Sequence, residues 1–376
     1  MSNPTTPATA GPRLAPLAPG ATIGILGGGQ LGRMTALAAA PLGYRCHIFC
    51  PEADSPATQV CNRATIADDT DTAALRDFAA QVDVVTYEFE NVPAATAETL
   101  AGLVPLRPRP GLLAICQDRI REKTALADLG IPVARHAAAD DAEGLARALE
   151  TIGRPAVLKA VRMGYDGKGQ VMIDASTDPA AAWADMAGSI PGARGIVEAR
   201  VPFDLEISVI VVRGTDGAIA TYDPGENHHS RHILHQTVVP ARVGAAAADT
   251  ATALARQVAE GLDLVGVMGV EMFVTGAGEV LVNELAPRPH NSGHWTIDAC
   301  AVSQFEQHVR SVVGLPLGPT ARHHDAVMTN LLGAEADAWS DYAADPEARL
   351  HLYGKAGVKP GRKMGHVTRL AAGMRG

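Results

Sequence analysis

The sequence is poor in aromatic residues and cysteines, and it has no excess of basic charge. Aromatic residues make up 4% of the 376 residues, so the cores have to be built from Ala, Val, Leu and Ile. The five cysteines are too few and too irregularly spaced for a disulfide framework, and none forms a CxxC pair, which favours reduced thiols in the cytoplasm. The 32 basic and 41 acidic residues give a formal charge of −9, and without a long basic run we expect no nucleic-acid partner.

The sequence also lacks a membrane-spanning segment and a signal peptide. No stretch approaches the roughly 18 uninterrupted apolar residues that a transmembrane helix needs, so no membrane partner is expected. Residues 1–20 are rich in Pro, Ala and Thr but contain no apolar core, so they are predicted to be a disordered leader. Apolar residues make up 47% of the chain, which is typical of a globular protein of about two or three domains.

Strand-like and helical segments alternate up to about residue 115, which indicates βαβ units and a parallel sheet. The predicted strands there are 21–26, 45–50 and 82–87, with a helix at 33–41. From residue 116 onward, a helix at 118–129 and strands joined by short turns favour a more antiparallel sheet. These strands are predicted at 156–160, 170–173, 206–212, 218–222, 267–274, 279–285, 326–331 and 351–353, with a further helix at 250–261.

Two glycine-rich segments are candidate phosphate sites. Gly27, Gly29 and Gly32 satisfy GxGxxG between a strand and a helix, where backbone amides can hold a phosphate. Glu52 follows at the distance typical of an NAD fingerprint, but the motif alone favours another phosphate ligand over NAD or a merely tight turn. The second segment, 162–170, is not a Walker loop, and three glycines with a lysine between two strands indicate a lid over a polyphosphate. The alternative for this segment is an ordinary hairpin with a solvated lysine.

Two glutamates on the predicted hairpin are candidate metal ligands. If the turn centres between Ala277 and Gly278, Glu271 and Glu284 lie directly opposite each other. Like charges in that position destabilise a hairpin unless a cation lies between them, and oxygen ligands suit Mg²⁺ bound to nucleotide phosphates. Paired surface glutamates are otherwise more often solvated, and the neighbouring lysines and glycine lid make magnesium the better interpretation.

Three other clusters carry polar chemistry. The segment 283–295 is a polar, proline-containing loop that suits an anion site, with a buried polar network as the alternative. A basic cluster suits a monophosphate, with a solvated turn nearly as plausible, and consists of Lys355, Lys359, Arg362 and Lys363. A zinc site in the histidine cluster is disfavoured because no clean ligand pair shares a helix face, and the cluster consists of His228, His229, His232 and His235.

Taken in order, the motifs resemble those of ATP-grasp enzymes, and more narrowly the N5-carboxyaminoimidazole ribonucleotide synthetase family of de novo purine biosynthesis. The resemblance runs from about Ile23 to His366 and rests on GGGQLGRM, TYEFENV, GYDGKGQ, VGVMGVEMFV, NELAPRPHNSGHWT and PGRKMGH. It implies an α/β ATP-grasp fold with a Rossmann-like domain at 21–115, an ATP-grasp domain at 116–318 and a small C-terminal domain at 319–376. The lid subdomain is expected at about 133–202.

The resemblance also implies an activity. ATP, bicarbonate and 5-aminoimidazole ribonucleotide would be the substrates, with Mg²⁺ (or Mn²⁺) as cofactor and carboxyphosphate as intermediate. The products would be N5-carboxyaminoimidazole ribonucleotide, ADP and phosphate. The protein would be a ligase and a homodimer, and GxGxxG would serve the ribonucleotide rather than NAD.

Site residues follow from the resemblance motif by motif. Those implied for ATP are Arg119, Lys159, the lid residues Gly164, Tyr165, Asp166, Gly167, Lys168, Gly169 and Gln170, the adenine-reading segment Glu198, Ala199, Arg200 and Val201, then Glu206, His229, Asn283 and Glu284. Glu271 and Glu284 would hold the metal, and Arg288, His290 and Asn291 the bicarbonate. Those implied for the ribonucleotide are Gln30, Leu31, Glu88, Tyr165, Asp166, Lys168, Lys355, Arg362 and Lys363, of which Asp166 and Lys355 would also be catalytic.

Some features depart from the family pattern. His232 stands where the family more usually has Gly, the chain ends ten residues after His366, and the leader is long. Three rival readings remain at this point. They are a sister ATP-grasp ligase that activates formate or another carboxylate, an NAD-dependent dehydrogenase, and a catalytically silent nucleotide-binding scaffold.

Overall fold

The computed structural model describes residues 15–164, 168–190, 192 and 194–371. The predictions for most of the leader and for Tyr165, Asp166 and Gly167 therefore lie outside the described residues.

The first unit is built on a four-stranded parallel sheet, as the alternating pattern predicts, in the order β3-β2-β1-β4. Its strands β1 to β4 span Thr22–Leu26, Arg45–Cys50, Arg63–Ile66 and Val84–Tyr87. Its helices α1 to α4 span Gln30–Ala39, Thr72–Ala79, Ala94–Ala101 and Pro110–Cys116. The sequence does not reveal β3, because this short edge strand is largely exposed and carries no apolar run.

Helix α5, Arg119–Asp128, leads into the second unit and starts where Asp118 accepts hydrogen bonds from the amides of Ile120 and Arg121. The second unit has a four-stranded antiparallel sheet in the order β5-β8-β6-β7. Its strands β5 to β8 span His136–Ala139, Ala156–Ala160, Gln170–Ile173 and Gly195–Ala199. Its helices α6 and α7 span Ala142–Ile152 and Pro179–Ser189.

A large antiparallel sheet forms the rest of the molecule, in the order β14-β13-β9-β11-β12-β15-β17-β16, with β10 paired to β9. Its strands β9 to β17 span Phe203–Arg213, Ile219–Thr221, Gly225–Ser230, Ile233–Val239, Gly266–Thr275, Val280–Ala286, Asp325–Leu332, Ala348–Leu352 and Lys363–Ala371. Its helices α8 to α11 span Ala245–Gly261, Thr296–Ala299, Gln304–Val313 and Trp339–Ala344. The last three strands continue this sheet from β12, and the boundary of the small C-terminal domain at residue 319 stays a prediction.

The largest core lies between this sheet and α8, and it is made of small and branched aliphatic side chains. Ala251, Ala255 and Val258 lie on one face of α8 and are fully buried against Val209 and other residues of the sheet. Burying a Val side chain stabilises a fold by about 1.5–3 kcal/mol, so an aromatic-poor core of this size is sufficient. It sits directly behind the hairpin that carries the candidate metal ligands.

All five cysteines are free, as their spacing predicts. Among the described residues, every helix is too short or too polar to cross a lipid bilayer.

Candidate functional site

The β13–β14 hairpin places Glu271 opposite Glu284, as the sequence predicts, but the register comes about differently. Val274 pairs with Val280, so the turn centres on Ala277 and not between Ala277 and Gly278. With that register alone, Glu271 would face Asn283. A β-bulge between Glu271 and Met272 shifts the pairing by one residue and brings the two carboxylates together.

Each of these glutamates already has a hydrogen-bond donor. Arg119 Nη1 lies 2.8 Å from Glu284 Oε2, and the charge of Glu284 raises the pKa of this guanidinium. His290 Nε2 lies 3.0 Å from Glu271 Oε1. Burial disfavours the ionised form of Glu271, but the hydrogen bond from His290 outweighs it and holds the pKa of this carboxyl below its usual value. The hairpin therefore offers two facing carboxylates, and carboxylate oxygens are the ligands that a hard divalent cation requires.

Lys159 lies on β6. Its Nζ lies 2.7 Å from Glu198 Oε2 and 3.5 Å from Oδ1 of Asn283, the residue before Glu284. Glu198 is 3% exposed. Burial would raise its pKa, but Lys159 and Lys123 outweigh that effect and lower it to about 2. The side chain of Glu198 therefore holds lysines in place, a role that the sequence does not suggest.

Two adjacent charged residues on α5, Glu122 and Lys123, are fully buried beneath the site. The sequence gives no sign of this role. Lys123 donates to the carbonyl oxygen of Asn283 at 2.7 Å, and Glu122 accepts from the amide of Leu285 at 3.1 Å. Burial lowers the pKa of Lys123, whereas burial and the nearby Glu284 raise that of Glu122. Both side chains hold β14 in position. A charged pair on an amphipathic helix normally indicates a solvated face, so the pattern gives no signal for this role.

The hairpin, the lysines and the second unit enclose a cavity of about 690 Å³. Its lining includes Gly164, Lys168, Gly169 and Gln170 of the predicted lid. Phe203 and Phe273 stack in its wall with ring centroids 4.4 Å apart. This apolar wall suits a flat base, and the sequence does not reveal it because the two residues lie 70 positions apart.

The predicted adenine-reading segment Glu198–Val201 also lines this cavity. The amides of Ala199 and Arg200 already donate to the carbonyl oxygens of Arg135 and Pro155. Nearby, Glu206 Oε2 lies 2.7 Å from His229 Nδ1. Burial opposes protonation of His229, but Glu206 outweighs it and raises the pKa of the imidazole.

The polar loop after β14 supplies three further cavity residues, Arg288, His290 and Asn291. Arg288 is paired with Glu90 of the first unit through its Nε. Asn291 and Asn330 exchange two hydrogen bonds of 2.9 and 2.6 Å between their side-chain amides, both buried. The loop therefore forms a buried polar network and also lines the cavity, and the anion site stays a prediction.

The GxGxxG segment is occupied by the protein itself. The amides of Gly29 and Gly32 donate to the two carboxylate oxygens of Glu88, with 2.7 Å for Gly32. Burial raises the pKa of Glu88, and the two amide hydrogen bonds oppose that rise. A side-chain carboxylate therefore lies in this structure where a phosphate could bind these amides, and the predicted phosphate site there stays a prediction.

A second cavity of about 500 Å³ lies beside this carboxylate and includes Gln30, Glu88, Lys355 and Arg362 in its lining. Lys355 Nζ donates to the carbonyl oxygen of Lys363 at 2.7 Å, and burial and the nearby Arg362 lower its pKa to about 8. Lys363 itself lines the first cavity. The side chain of Leu31 is 7% exposed and packs in an apolar cluster, so it lies apart from the polar lining.

The histidine-rich segment does not gather into a metal site. His228 pairs with Glu226 and His229 with Glu206. His232 has a φ of 65°, in the left-handed region that favours glycine. Within the part of the chain that the structure describes, the group of His, Cys, Asp or Glu side chains close enough to share a metal is Asp298, His351 and His366, outside this segment.

Comparison with known protein families matches three successive segments of the chain. A model of the ribonucleotide synthetase preATP-grasp domain matches residues 20–117, and one of the ATP-grasp domain matches residues 124–305. A model of the phosphoribosylaminoimidazole carboxylase C-terminal domain matches residues 326–375.

Two relatives are similar over nearly the whole chain. The N5-carboxyaminoimidazole ribonucleotide synthase of Brucella melitensis is 49% identical over 94% of this chain and 97% of its own length. The bifunctional purine synthesis protein purC/E of Dictyostelium discoideum is 46% identical over 96% of this chain, but the match spans only 38% of that longer protein.

Solved structures agree with the fold. The ADP complex of purK, an N5-carboxyaminoimidazole ribonucleotide synthetase, superposes with a TM-score of 0.92 at 42% identity, covering 96% of this chain and 94% of that one. The Aspergillus clavatus N5-carboxyaminoimidazole synthase in complex with ADP and 5-aminoimidazole ribonucleotide gives a TM-score of 0.87 at 32% identity, covering 95% of both chains.

Proposed function

The chain belongs to the N5-carboxyaminoimidazole ribonucleotide synthase family of ATP-grasp ligases, and from this premise we propose the reaction that its two cavities perform. ATP phosphorylates bicarbonate to carboxyphosphate, and the carboxyl group passes to the exocyclic amine of 5-aminoimidazole ribonucleotide. The products are N5-carboxyaminoimidazole ribonucleotide, ADP and phosphate, within de novo purine biosynthesis. The observation that carries this proposal is the pairing of Glu271 with Glu284 inside a cavity that also holds Lys159 and Arg119.

ATP binds in the first cavity. Its base lies against Phe203 and Phe273 beside the Glu198–Val201 segment, and its ribose lies near Glu206 and His229. Lys159 and Arg119 neutralise the phosphates, and the lid segment that includes Gly164 and Gln170 covers them. Phosphoryl transfer needs positioning and charge neutralisation more than a protein nucleophile, and these residue types supply both.

Mg²⁺ fits the facing carboxylates, which are acceptors held between two donors, with the Asn283 side chain adjacent. Mn²⁺ fits the same oxygen ligands. When bound, the ion would neutralise negative charge on the nucleotide phosphates. Glu271 and Glu284 hold it, while Arg119 keeps Glu284 in place.

Bicarbonate binds next to Arg288, His290 and Asn291. The buried Arg288 guanidinium keeps its charge because Glu90 lies against it, and a planar guanidinium suits a planar carboxylate. The acceptor ribonucleotide binds in the second cavity, where Lys355 and Arg362 attract its phosphate and Glu88 and Gln30 line the wall. In our proposal Tyr165, Asp166, Lys168 and Lys363 also bind the acceptor, and of these Lys168 and Lys363 line the first cavity, so they contact the acceptor from that side.

We further propose that the protein works as a homodimer in the cytoplasm. The free cysteines and the phosphorylated substrates are consistent with a reducing, ATP-containing compartment. Light scattering on the purified protein tests the dimer.

An omission assay tests the reaction. ADP release is measured with ATP and Mg²⁺ while bicarbonate or 5-aminoimidazole ribonucleotide is left out in turn. We expect full turnover only when both are present. Turnover that persists without bicarbonate but requires formate or another carboxylate would identify the sister ligase instead, and NADH absorbance changes without ATP would identify a dehydrogenase.

The metal ligands give the first prediction. Glu271→Gln and Glu284→Gln each remove a charged ligand, so we expect turnover to fall at least about 100-fold while folding survives. Glu279→Gln on the exposed turn of the same hairpin is the matched control and should retain activity. The measurement is ADP release across a Mg²⁺ titration, and near-normal turnover in both variants would refute the metal role.

A further inference from the structure

A buried chain of hydrogen bonds runs from His290 into the central sheet. The first link joins His290 Nδ1 to Ser292 Oγ at 2.8 Å. The second joins the hydroxyl groups of Ser208 and Ser292 at 2.6 Å. Beyond them, Asn227 Nδ2 donates to Ser208 Oγ at 3.0 Å, and Thr237 Oγ1 donates to Asn227 Oδ1 at 3.0 Å.

The members of this chain are shielded from water. The exposed fractions are 1% for Ser292, 3% for Ser208, 7% for Asn227 and 0% for Thr237. Buried hydroxyl and amide groups destabilise a fold unless they are hydrogen-bonded, so each link constrains the next. Three strands contribute, since Ser208 lies on β9, Asn227 on β11 and Thr237 on β12.

The direction of the chain fixes the state of the imidazole. The Thr237 hydroxyl donates to Asn227, the Asn227 amide donates to Ser208, and the Ser208 hydroxyl donates to Ser292. The Ser292 hydroxyl proton then points to His290 Nδ1, which accepts it. Reversing the chain would leave the buried Thr237 hydroxyl proton without an acceptor among the described contacts. The proton of the neutral imidazole is therefore on Nε2, the atom 3.0 Å from Glu271 Oε1.

The backbone of His290 is also fixed by hydrogen bonds. Gln304 Oε1 accepts from the amide of His290 at 2.9 Å, and Gln304 Nε2 donates to its carbonyl oxygen at 2.7 Å. On the opposite side, a Cβ at Gly269 would lie 2.6 Å from His290 Cβ, so the strand approaches as closely as glycine allows. A side chain fixed by so many partners has one orientation.

We propose that Ser292, supported by Ser208, Asn227 and Thr237, is a positioning residue for the reaction. It keeps His290 in the Nε2–H tautomer and directs that N–H toward Glu271 and the bicarbonate site. With this N–H, His290 holds the Glu271 carboxylate in place beside the bicarbonate site. This inference rests on the proposed function for the role of His290, but the tautomer can be observed without turnover.

Ser292→Ala is the direct test, and Ser311→Ala is the matched control, because Ser311 is a buried serine that donates to the carbonyl oxygen of His308 on α10. Ring ¹⁵N chemical shifts are recorded at pH 8 on ¹⁵N-histidine-labelled protein without substrates, and His290→Asn assigns the resonance. We expect the Nε2–H pattern in the wild type and in Ser311→Ala, and a mixture of tautomers in Ser292→Ala. A wild-type Nδ1–H or doubly protonated ring, or no change in Ser292→Ala, would overturn the proposal.

Kinetics supply the second readout. In Ser292→Ala we expect kcat/KM for bicarbonate to fall about 10- to 100-fold, with the KM for ATP changed less than about twofold. Ser208→Ala should show a smaller loss of the same kind, and Ser208→Thr, which keeps the hydroxyl on a strand, should restore it. Equal losses for ATP and bicarbonate, or no rescue by threonine, would indicate a merely structural role. If the wild type shows no bicarbonate-dependent turnover, the proposed function fails while the ¹⁵N spectra still decide the tautomer.

Discussion

At the scale of single residues, this protein buries ionisable side chains whose protonation depends on their surroundings. His308 on α10 is 1% exposed, and its Nδ1 accepts from the amide of Val267 at 3.3 Å. Its Nε2 therefore donates to Thr86 Oγ1 on β4 at 2.9 Å. Burial lowers the pKa of this imidazole to about 3, so it stays neutral in the folded protein at neutral pH.

His308 gives a prediction for stability against pH. In the unfolded chain the His308 imidazole takes up a proton below its ordinary pKa of 6.5. In the folded protein it takes up a proton only near pH 3. Its contribution to stability is therefore lost as the pH falls from 6.5 toward 3, and amounts to about 2 kcal/mol by pH 5. His308→Gln keeps an amide donor for Thr86 but cannot titrate. We expect its free energy of unfolding to fall less between pH 7 and pH 5 than that of the wild type.

The exposed His324 provides the control. Denaturant unfolding of His324→Gln should show the wild-type dependence on pH. If the free energy of unfolding falls as much between pH 7 and pH 5 in His308→Gln as in the wild type, the role of His308 is contradicted.

At the scale of elements, the β13–β14 hairpin shows what the sequence can and cannot predict. Two strand-like segments closed by a glycine-rich turn predict the hairpin, and the assumed turn centre predicts the facing glutamates; the structure confirms both. The bulge is not predicted, because no residue in VNEL marks Asn283 of β14 as the extra residue, and β13 pairs regularly with β9 at Glu271 and Met272. The right pair was therefore inferred from a turn position that is off by half a residue.

The predictions for other elements are right or wrong for similar reasons. The strands β1, β2 and β6 are apolar runs, and the predicted bounds agree with the structure to within a residue. The start of α1 is predicted three residues late, because the extended Gly29 precedes Gln30 and no polar cap marks the start. The buried charges of α5 could not be predicted, since what buries them is β14, about 160 residues away.

The close approach of β13 to the polar loop gives the next prediction. Gly269→Ala adds a methyl group 2.6 Å from His290 Cβ, so the imidazole has to move. We expect kcat to fall about 100-fold, because displacements of about 1 Å at a reacting site have effects of that size. Gly188→Ala on α7, where an added Cβ meets nothing within 4 Å, is the control. ADP release and a thermal melt are measured on both, and an unchanged kcat in Gly269→Ala would refute the positioning of His290.

At the scale of the whole molecule, the first unit reaches into the site that the large sheet builds. Glu90, which follows β4, is paired with Arg288 of the polar loop. Burial would raise the pKa of Glu90, but the charge of Arg288 outweighs it and lowers it. Gln117 donates to the carbonyl oxygens of Glu90 and Val92 at 2.6 Å, and Arg162 beside the lid donates to Gln117 at 2.8 Å. These contacts join residues that are far apart in the chain, so no local pattern in the sequence predicts them.

The Glu90–Arg288 contact predicts that loss of this ion pair weakens the binding of bicarbonate more than that of ATP. Glu90→Gln removes the charge that holds Arg288, so we expect the KM for bicarbonate to rise about tenfold and the KM for ATP to stay within about twofold. The measurement is ADP release with each substrate varied in turn. Glu98→Gln, an exposed change on α3, is the control. A parallel rise in both KM values would show that the ion pair acts on the whole site and not on Arg288.

The central claim is that bicarbonate attacks the γ-phosphate before the amine is carboxylated, and oxygen transfer tests it most directly. The enzyme is supplied with ATP, Mg²⁺, 5-aminoimidazole ribonucleotide and ¹⁸O-labelled bicarbonate, and the released phosphate is examined by ³¹P NMR. Because the oxygen that bonds to phosphorus stays with it when carboxyphosphate breaks down, we predict one ¹⁸O atom in each phosphate. Phosphate free of ¹⁸O, released together with the carboxylated ribonucleotide, would contradict the account.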